Sequence, residues 1–331
     1  MRSNTKVPFG ILGTGSAFPD RILTNQDLEK IVETNDEWIR TRTGICERRM
    51  AEPEIATSDL AARAGAKAIA EAGLTPADID LVIVATFTPD HFTPSTACLV
   101  HGKLNIPNCM AFDVNAACTG WIYALSCANG LLTTGMAKKA LVIGADCVTR
   151  LTNFKDRTTC VLFGDAAGAV VLGEVEEGRG ILSQFCSADG RQGQYIIVPG
   201  GGSRNPCSHE VVDKDEQFLQ MSGNDVFKFA ATTLPEAVNI AVDRAGLKID
   251  DLDWIIPHQA NLRIIDNAVK RLHVPHEKFI INIDRFGNTS AASIGVALDE
   301  AVGDGRVKPG QLICLVAFGG GLTWGANVIR L

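Results

Sequence analysis

The feature that most constrains this chain's fold is internal repetition. The seven residues from Ala68 to Leu74 (AIAEAGL), followed by Asp78, Asp80 and Ile83, match Ala241 to Leu247 (AVDRAGL), Asp251, Asp253 and Ile256 without a gap. The offset is 173 residues (241 − 68). The same offset lays Leu141–Gly144 on Cys314–Ala317 and brings the segment after Cys118 level with Ser290–Ser293. Three units recurring in one order point to a duplicated plan. Each half closes on a Gly-Ala strand, Gly168–Leu172 in one and Gly325–Ile329 in the other. Helical segments alternate with apolar runs such as Leu81–Ala85, the pattern of α/β layers with mixed sheets covered on both faces. We divide the chain at 1–175 and 176–331. The polar, glycine-rich stretch 176–223 has no evident first-half counterpart and reads as inserted strands and loops.

Phe9–Leu12 reads as a strand running into a glycine turn at Gly13 and Gly15. Phe18 stands where a dinucleotide fingerprint needs its third glycine, so nucleotide binding is not read there. Thr57 or Ser58 can cap an alanine-rich helix ending near Gly73.

With 331 residues, 46% hydrophobic and 21% charged, the chain can bury a large core. A net charge of −7 argues against nucleic acid as a partner. No run approaches the ~20 apolar residues of a membrane span, and Met1–Lys6 leads into no long apolar core, so we expect a soluble, cytoplasmic protein that does not engage membranes. The ten cysteines are dispersed without C-x-x-C pairs, which indicates neither a disulfide framework nor a zinc site. His273 and His276 lie beside Pro275 with no clustered cysteine, and no metal is expected.

Cys118 is the cysteine placed for chemistry. Cys109–Phe112 reads as a short buried strand. Trp121, Ala124, Leu125, Ala128, Leu131 and Leu132 recur at helical spacing before Gly135. Cys118 therefore falls near a helix N-terminus, where free N–H groups and the helix dipole favour a nucleophilic thiolate. The alternative is one more small buried residue. In the second half, His258 follows the apolar run Trp254–Pro257, at the position Ala85 holds in the repeat. Asn288 precedes the small-residue segment that duplicates the Cys118 helix start, and taken alone it reads more readily as a turn or cap residue than as a catalytic one.

Together these residues resemble the thiolase-fold condensing enzymes, most closely the β-ketoacyl-acyl-carrier-protein synthase III group, over essentially the full length. The strings PHQANLRI (Pro257 to Ile264), GNTSAAS (Gly287 to Ser293) and AFGGG (Ala317 to Gly321) carry the likeness. Degradative thiolases would have a second cysteine at Ala317, and type I and II synthases a second histidine where Asn288 stands. One departure is Ala166, where the family commonly has glycine.

The resemblance implies a thiolase-like fold of two α/β halves in an αβαβα arrangement. It also implies a Cys118–His258–Asn288 triad and a decarboxylating Claisen condensation of an acyl-CoA primer with malonyl-acyl carrier protein, initiating fatty acid synthesis without a cofactor. Cys118 and Gly320 N–H groups would form the oxyanion hole. Trp38, Arg42, Arg157 and Asn261 would bind coenzyme A. Arg263, Lys270 and Arg271 would meet the acidic carrier protein, though an ordinary solvated face is the alternative. The protein would be a homodimer in which Phe92 and Thr93 reach the partner subunit's acyl pocket. Rival readings are a related synthase of polyketide- or quinolone-type secondary metabolism, a silent thiolase-fold scaffold, or a redox protein using Cys118.

Overall fold

The computed structural model describes residues 7–331, so the reading of Met1–Lys6 lies outside the described residues. The first half contributes β1 (Phe9–Ala17), α1 (Asp36–Thr43), α2 (Thr57–Glu71), β2 (Leu81–Ala85), α3 (Thr96–Lys103), β3 (Met110–Val114), α4 (Gly120–Thr133), β4 (Ala140–Cys147) and β5 (Asp165–Glu174). The second contributes β6 (Gly180–Ala188), α5 (Gly223–Arg244), β7 (Trp254–Pro257), α6 (Leu262–Leu272), α7 (Ser293–Gly303), β8 (Leu312–Gly319) and β9 (Thr323–Arg330).

The two sheets repeat one topology. The first runs β1-β5-β4-β2-β3 and the second β6-β9-β8-β7. A parallel bridge from Ile255 to Phe279 stands where the fifth strand would pair. The strands that follow helical units are parallel, β2 with β3 and β4 in the first sheet and β7 with β8 in the second, and the remaining pairings are antiparallel. The 173-residue offset survives in the register, since Val82 pairs with Leu141 as Ile255 pairs with Cys314.

Strand alternation sorts side chains into layers. Leu81, Ile83 and Ala85 of β2 and Ile313, Leu315 and Ala317 of β8 point into one central core. Val82 and Val84 face the outer helices of the first sheet, and Cys314 and Val316 those of the second. Helices α4 and α7 lie between the sheets, with α2 and α3 outside one and α5 and α6 outside the other. This is the αβαβα arrangement. The close layers depend on small residues, for a Cβ on Gly168 would sit 2.5 Å from the Gly295 backbone.

Several local expectations are corrected. β1 does not turn at its glycines but runs through them, because Gly13 and Gly15 let the α2 backbone approach: an added Cβ would come within 2.4 Å of Ala72 N and Ala64 O respectively. The N-cap of α2 is Ala56, whose N–H donates to Asp59 at 2.9 Å, and Ser58 donates instead to Asp90. The strand before Cys118 is half-exposed rather than buried, since β3 forms the edge of its sheet. The 176–223 stretch is not wholly an insertion. It holds β6, which occupies in its sheet the place β1 has in the other.

Candidate active site

Cys118, His258 and Asn288 line one cavity of about 800 Å³ where the two halves meet. Each is delivered by a different element. Cys118 follows Ala117, whose φ of +46° forces a sharp turn from β3 into the 3-10 turn Ala117–Thr119 ahead of α4. Ser290, 173 residues on, repeats the turn with φ +51°. Such backbone is costly for a residue with a Cβ and is held by its surroundings. Ala117 N–H donates to Asn115 Oδ1 at 3.2 Å, and the Thr323 hydroxyl reaches the Ala116 carbonyl at 3.1 Å from the other half. Gly319 packs against the Cys118 amide so closely that a Cβ there would lie 2.8 Å from Cys118 N.

His258 continues the parallel pairing of β7, donating its N–H to Val316 O at 2.8 Å. Its ring meets Phe318 edge-on at 5.6 Å, and Nδ1 lies 2.7 Å from Ser293 Oγ. Burial pulls its pKa down to about 3, so the ring is neutral at physiological pH. Asn288 is clamped by its backbone, donating N–H to Leu162 O at 2.8 Å and accepting Gly164 N–H at 3.1 Å. Its side chain meets the Ser290 N–H at 2.9 Å. Because that partner is a donor, the amide oxygen must face it, which leaves the Asn288 NH2 as the group free to donate.

The thiolate expectation needs correction. Cys118 does stand at a helix start, but desolvation pushes its thiol up to about 12, against the lowering influence of Ser290 and with a further upward push from Asp146. Its residual exposure is to the cavity it lines. Asp146, fully buried at the end of β4, accepts from Thr86 and Thr88 hydroxyls, from Phe87 and Thr88 N–H groups, and from Ala291 N–H at 3.2 Å across the half boundary. Desolvation raises its own pKa to about 6 despite these donors. At Cys118, then, burial opposes the thiolate that a helix start favours.

The remaining candidates sort by place. Gly320, Trp38, Arg42 and Asn261 line the same cavity. Among the described residues the Gly320 N–H donates to no backbone carbonyl. Arg157 is exposed and stacks on Trp38, its guanidinium carbon 5.4 Å from the ring centroid, while donating to Glu33 O at 3.1 Å. Asn261 caps α6 through Arg263 N–H and donates to Arg42 O at 3.1 Å, tying α6 to α1. Arg263, Lys270 and Arg271 are exposed on α6; Arg263 lies over Phe227 at 5.4 Å, and Arg271 donates to Ala231 O at 2.9 Å. Phe92, 87% exposed, and Thr93 line no part of their own chain's main cavity; Phe92 borders a neighbouring one of about 740 Å³. No group of three metal-ligating residues occurs among the described residues, and His276 faces Asp266 at 3.3 Å. Sequence reading gave no role to Asp146 and Thr323, which act across the half boundary and carry no local signature, and it named Ser293 and Gly319 only as members of the strings GNTSAAS and AFGGG.

Chemically, a sulfur nucleophile at a helix start beside two neutral hydrogen-bond donors suits acyl transfer followed by stabilisation of an oxyanion or enolate. Comparisons with known proteins agree. Residues 112–190 match the model for 3-oxoacyl-[acyl-carrier-protein (ACP)] synthase III, and residues 242–331 the model for its C-terminal part. The chain is 53% identical over 325 residues to the beta-ketoacyl-[acyl-carrier-protein] synthase III of Caldanaerobacter subterraneus subsp. tengcongensis, covering 98% of each, and 50% identical over 327 residues to that of Clostridioides difficile, covering 99% of each. The crystal structure of the 3-oxoacyl-[acyl-carrier-protein] synthase III from Aquifex aeolicus is similar with a TM-score of 0.90 at 44% identity, over 98% of this chain and 100% of that one. The priming β-ketosynthase of the R1128 polyketide pathway reaches 0.90 at 34% identity, over 100% of this chain and 98% of that one. By full-length identity, family match and fold, this chain belongs to the 3-oxoacyl-[acyl-carrier-protein] synthase III family.

Proposed function

We infer that the chain condenses an acyl-CoA primer with malonyl-acyl carrier protein through an acyl-Cys118 intermediate, the step that initiates fatty acid synthesis. The observation that carries this reading is the convergence of Cys118, His258 and Asn288 from both halves on one cavity. In the first stage the Cys118 sulfur attacks the acyl-CoA carbonyl, with the Cys118 and Gly320 N–H groups receiving the developing oxyanion. The bond to coenzyme A sulfur breaks, and the proton lost by the Cys118 thiol ends on that departing sulfur. In the second stage malonyl-acyl carrier protein loses CO2, and the electron pair passes to an enolate whose oxygen accepts from His258 and Asn288. The enolate carbon attacks the acyl-Cys118 thioester, and the sulfur leaves as thiolate and takes up a proton from solvent. Neither ring nor amide need change its protonation state.

Around that chemistry, Trp38 and Arg157 would part to admit the adenine, Arg42 would meet the phosphates, and Asn261 would line the pantetheine path. Arg263 and Lys270 with Arg271 would face the acidic carrier protein. We take the chain as two thiolase-like halves, 1–175 and 176–331, supported by a first sheet drawn from residues 9–174 and a second from 180–330. We further read it as a cytoplasmic homodimer using no cofactor beyond its substrates. In support, β3 is a half-exposed sheet edge and Phe92 stands out from the surface. No helix among the described residues is long and apolar enough to cross a membrane.

Intact-protein mass measurement after mixing with a panel of acyl-CoAs tests the reading. One acyl group should appear on wild type and none on Cys118→Ala, which should still decarboxylate malonyl-acyl carrier protein. Equal condensation by mutant and wild type would end the nucleophile assignment.

A further inference from the structure

One short segment, Asn288 to Ser293, holds both donor groups of the site. Asn288 turns its oxygen onto the Ser290 N–H, and Ser293 meets His258. Ser293 Oγ lies 2.7 Å from His258 Nδ1 and accepts the Gln259 N–H at 3.3 Å. With Ser293 3% and His258 1% exposed, neither has bulk water as an alternative partner. A hydroxyl has one proton to donate. Among the described residues Ser293 Oγ has only these two partners, and the Gln259 N–H is itself a donor, so the hydroxyl proton has a single acceptor, His258 Nδ1.

Gln259 keeps this arrangement from relaxing. Its side-chain NH2 donates to Pro257 O at 2.7 Å and Ile280 O at 3.2 Å, and its oxygen accepts Asn282 N–H at 3.1 Å. All four of these residues are buried. The Gln259 backbone is thereby fixed with its N–H on Ser293. Were His258 to carry its proton on Nδ1, two protons would face each other and the Ser293 hydroxyl would be a buried donor without an acceptor. Leaving a buried donor unmade disfavours that form by about tenfold or more.

We propose that Ser293 is the positioning residue that holds His258 in the Nε2–H tautomer, so that the ring offers the cavity a proton and not a lone pair. The proposal deepens the donor role given to His258 above and rests on it. In that tautomer Nε2 cannot receive the Cys118 proton, so acyl transfer does not use His258 as base. Loss of Ser293 should therefore separate the two stages of the reaction. Decarboxylation should fall and acylation should not.

The test is long-range ¹H–¹⁵N NMR on histidine-labelled resting protein, with the His258 signals identified by their loss in His258→Asn. Wild type and Ser293→Thr should show only the Nε2–H form. Ser293→Ala should show a mixture of tautomers, decarboxylate malonyl-acyl carrier protein about tenfold more slowly, and acylate Cys118 within twofold of wild type. An Nδ1–H ring in wild type, or an unchanged tautomer in Ser293→Ala, would overturn the assignment to Ser293. An altered tautomer with undiminished decarboxylation would instead refute the donor role of His258. Should Ser293→Ala fail to fold, the wild-type and Ser293→Thr spectra still decide the tautomer.

Discussion

Gly319→Ala is the sharpest test of how Cys118 is held. The added Cβ would fall 2.8 Å from Cys118 N, 3.0 Å from Cys118 Cβ and 3.0 Å from Thr119 N, against an ordinary contact of at least 3.4 Å. Two of these three are backbone atoms, so no flexible side chain can swing aside. The end of β8 and the Ala117–Thr119 turn must part by about 0.6 Å, the difference between 3.4 and 2.8 Å. Overpacking of this kind costs ~1–3 kcal/mol. With an unfolding entropy of ~2.1 cal/mol/K per residue, the chain should lose roughly 1.5–4 °C in Tm. The larger effect is on chemistry, because a 1 Å misplacement of a reacting group can cost ~100-fold and 0.6 Å therefore about tenfold. The assay is the single-turnover rate of Cys118 acylation by acyl-CoA, quenched and read by intact mass. Gly130→Ala is the control: it lies in α4, exposed, with nothing within 4 Å of its added Cβ, and should be neutral or stabilising. Wild-type acylation and Tm in Gly319→Ala would refute the close packing of Gly319 on Cys118.

Other outcomes follow from the same geometry. Because desolvation holds the Cys118 thiol near 12, its thiolate fraction rises tenfold per pH unit throughout the neutral range. Iodoacetamide alkylation of Cys118 should climb with unit logarithmic slope from pH 6 to 9, and a plateau near neutrality would contradict this. His258, neutral above about 3, should give malonyl decarboxylation by Cys118→Ala no inflection over that range, whereas a fall below pH 7 would show the ring titrating. Trp38→Ala should raise the KM for acyl-CoA roughly tenfold, the ~1.4 kcal/mol of a lost stacking contact, with little change toward the carrier substrate; an unchanged KM would make Trp38 a packing residue. Cys118 should accept primers longer than acetyl, each buried methylene adding ~0.8 kcal/mol of binding, and Thr93→Phe should restore acetyl preference. Acylation by acetyl-CoA alone, with butyryl-CoA inert, would show a pocket closed by other residues.

Much of this was legible in the chain itself. The repeat at 173 residues set the topology, because two copies of one helix–strand pattern must build two sheets of one plan, and even strand register follows the offset. The strings around His258 and Asn288, with the closing Ala317–Gly321, are long enough to mark the family without coordinates. Local patterns misled where local chemistry was overruled. Gly13 and Gly15 look like a turn in sequence, but the approach of α2 makes them a strand. Cys109–Phe112 looks buried by hydropathy, but β3 ends as a sheet edge.

The site's electrostatics belong to the tertiary structure. A helix start predicts a thiolate at Cys118, yet burial beside Asp146 reverses the direction, because desolvation acts through atoms distant in sequence. Contacts such as Thr323 on Ala116, Ala291 on Asp146 and Ser293 on His258 join residues 35 to 207 apart. Periodicity and capping rules reach a few residues along the chain and specify helices, strands and their faces. Which proton His258 carries is decided by the fold of the second half, which brings Ser293 to its ring, while the placing of Cys118 against Gly319 and Thr323 is decided only when the two halves close on each other.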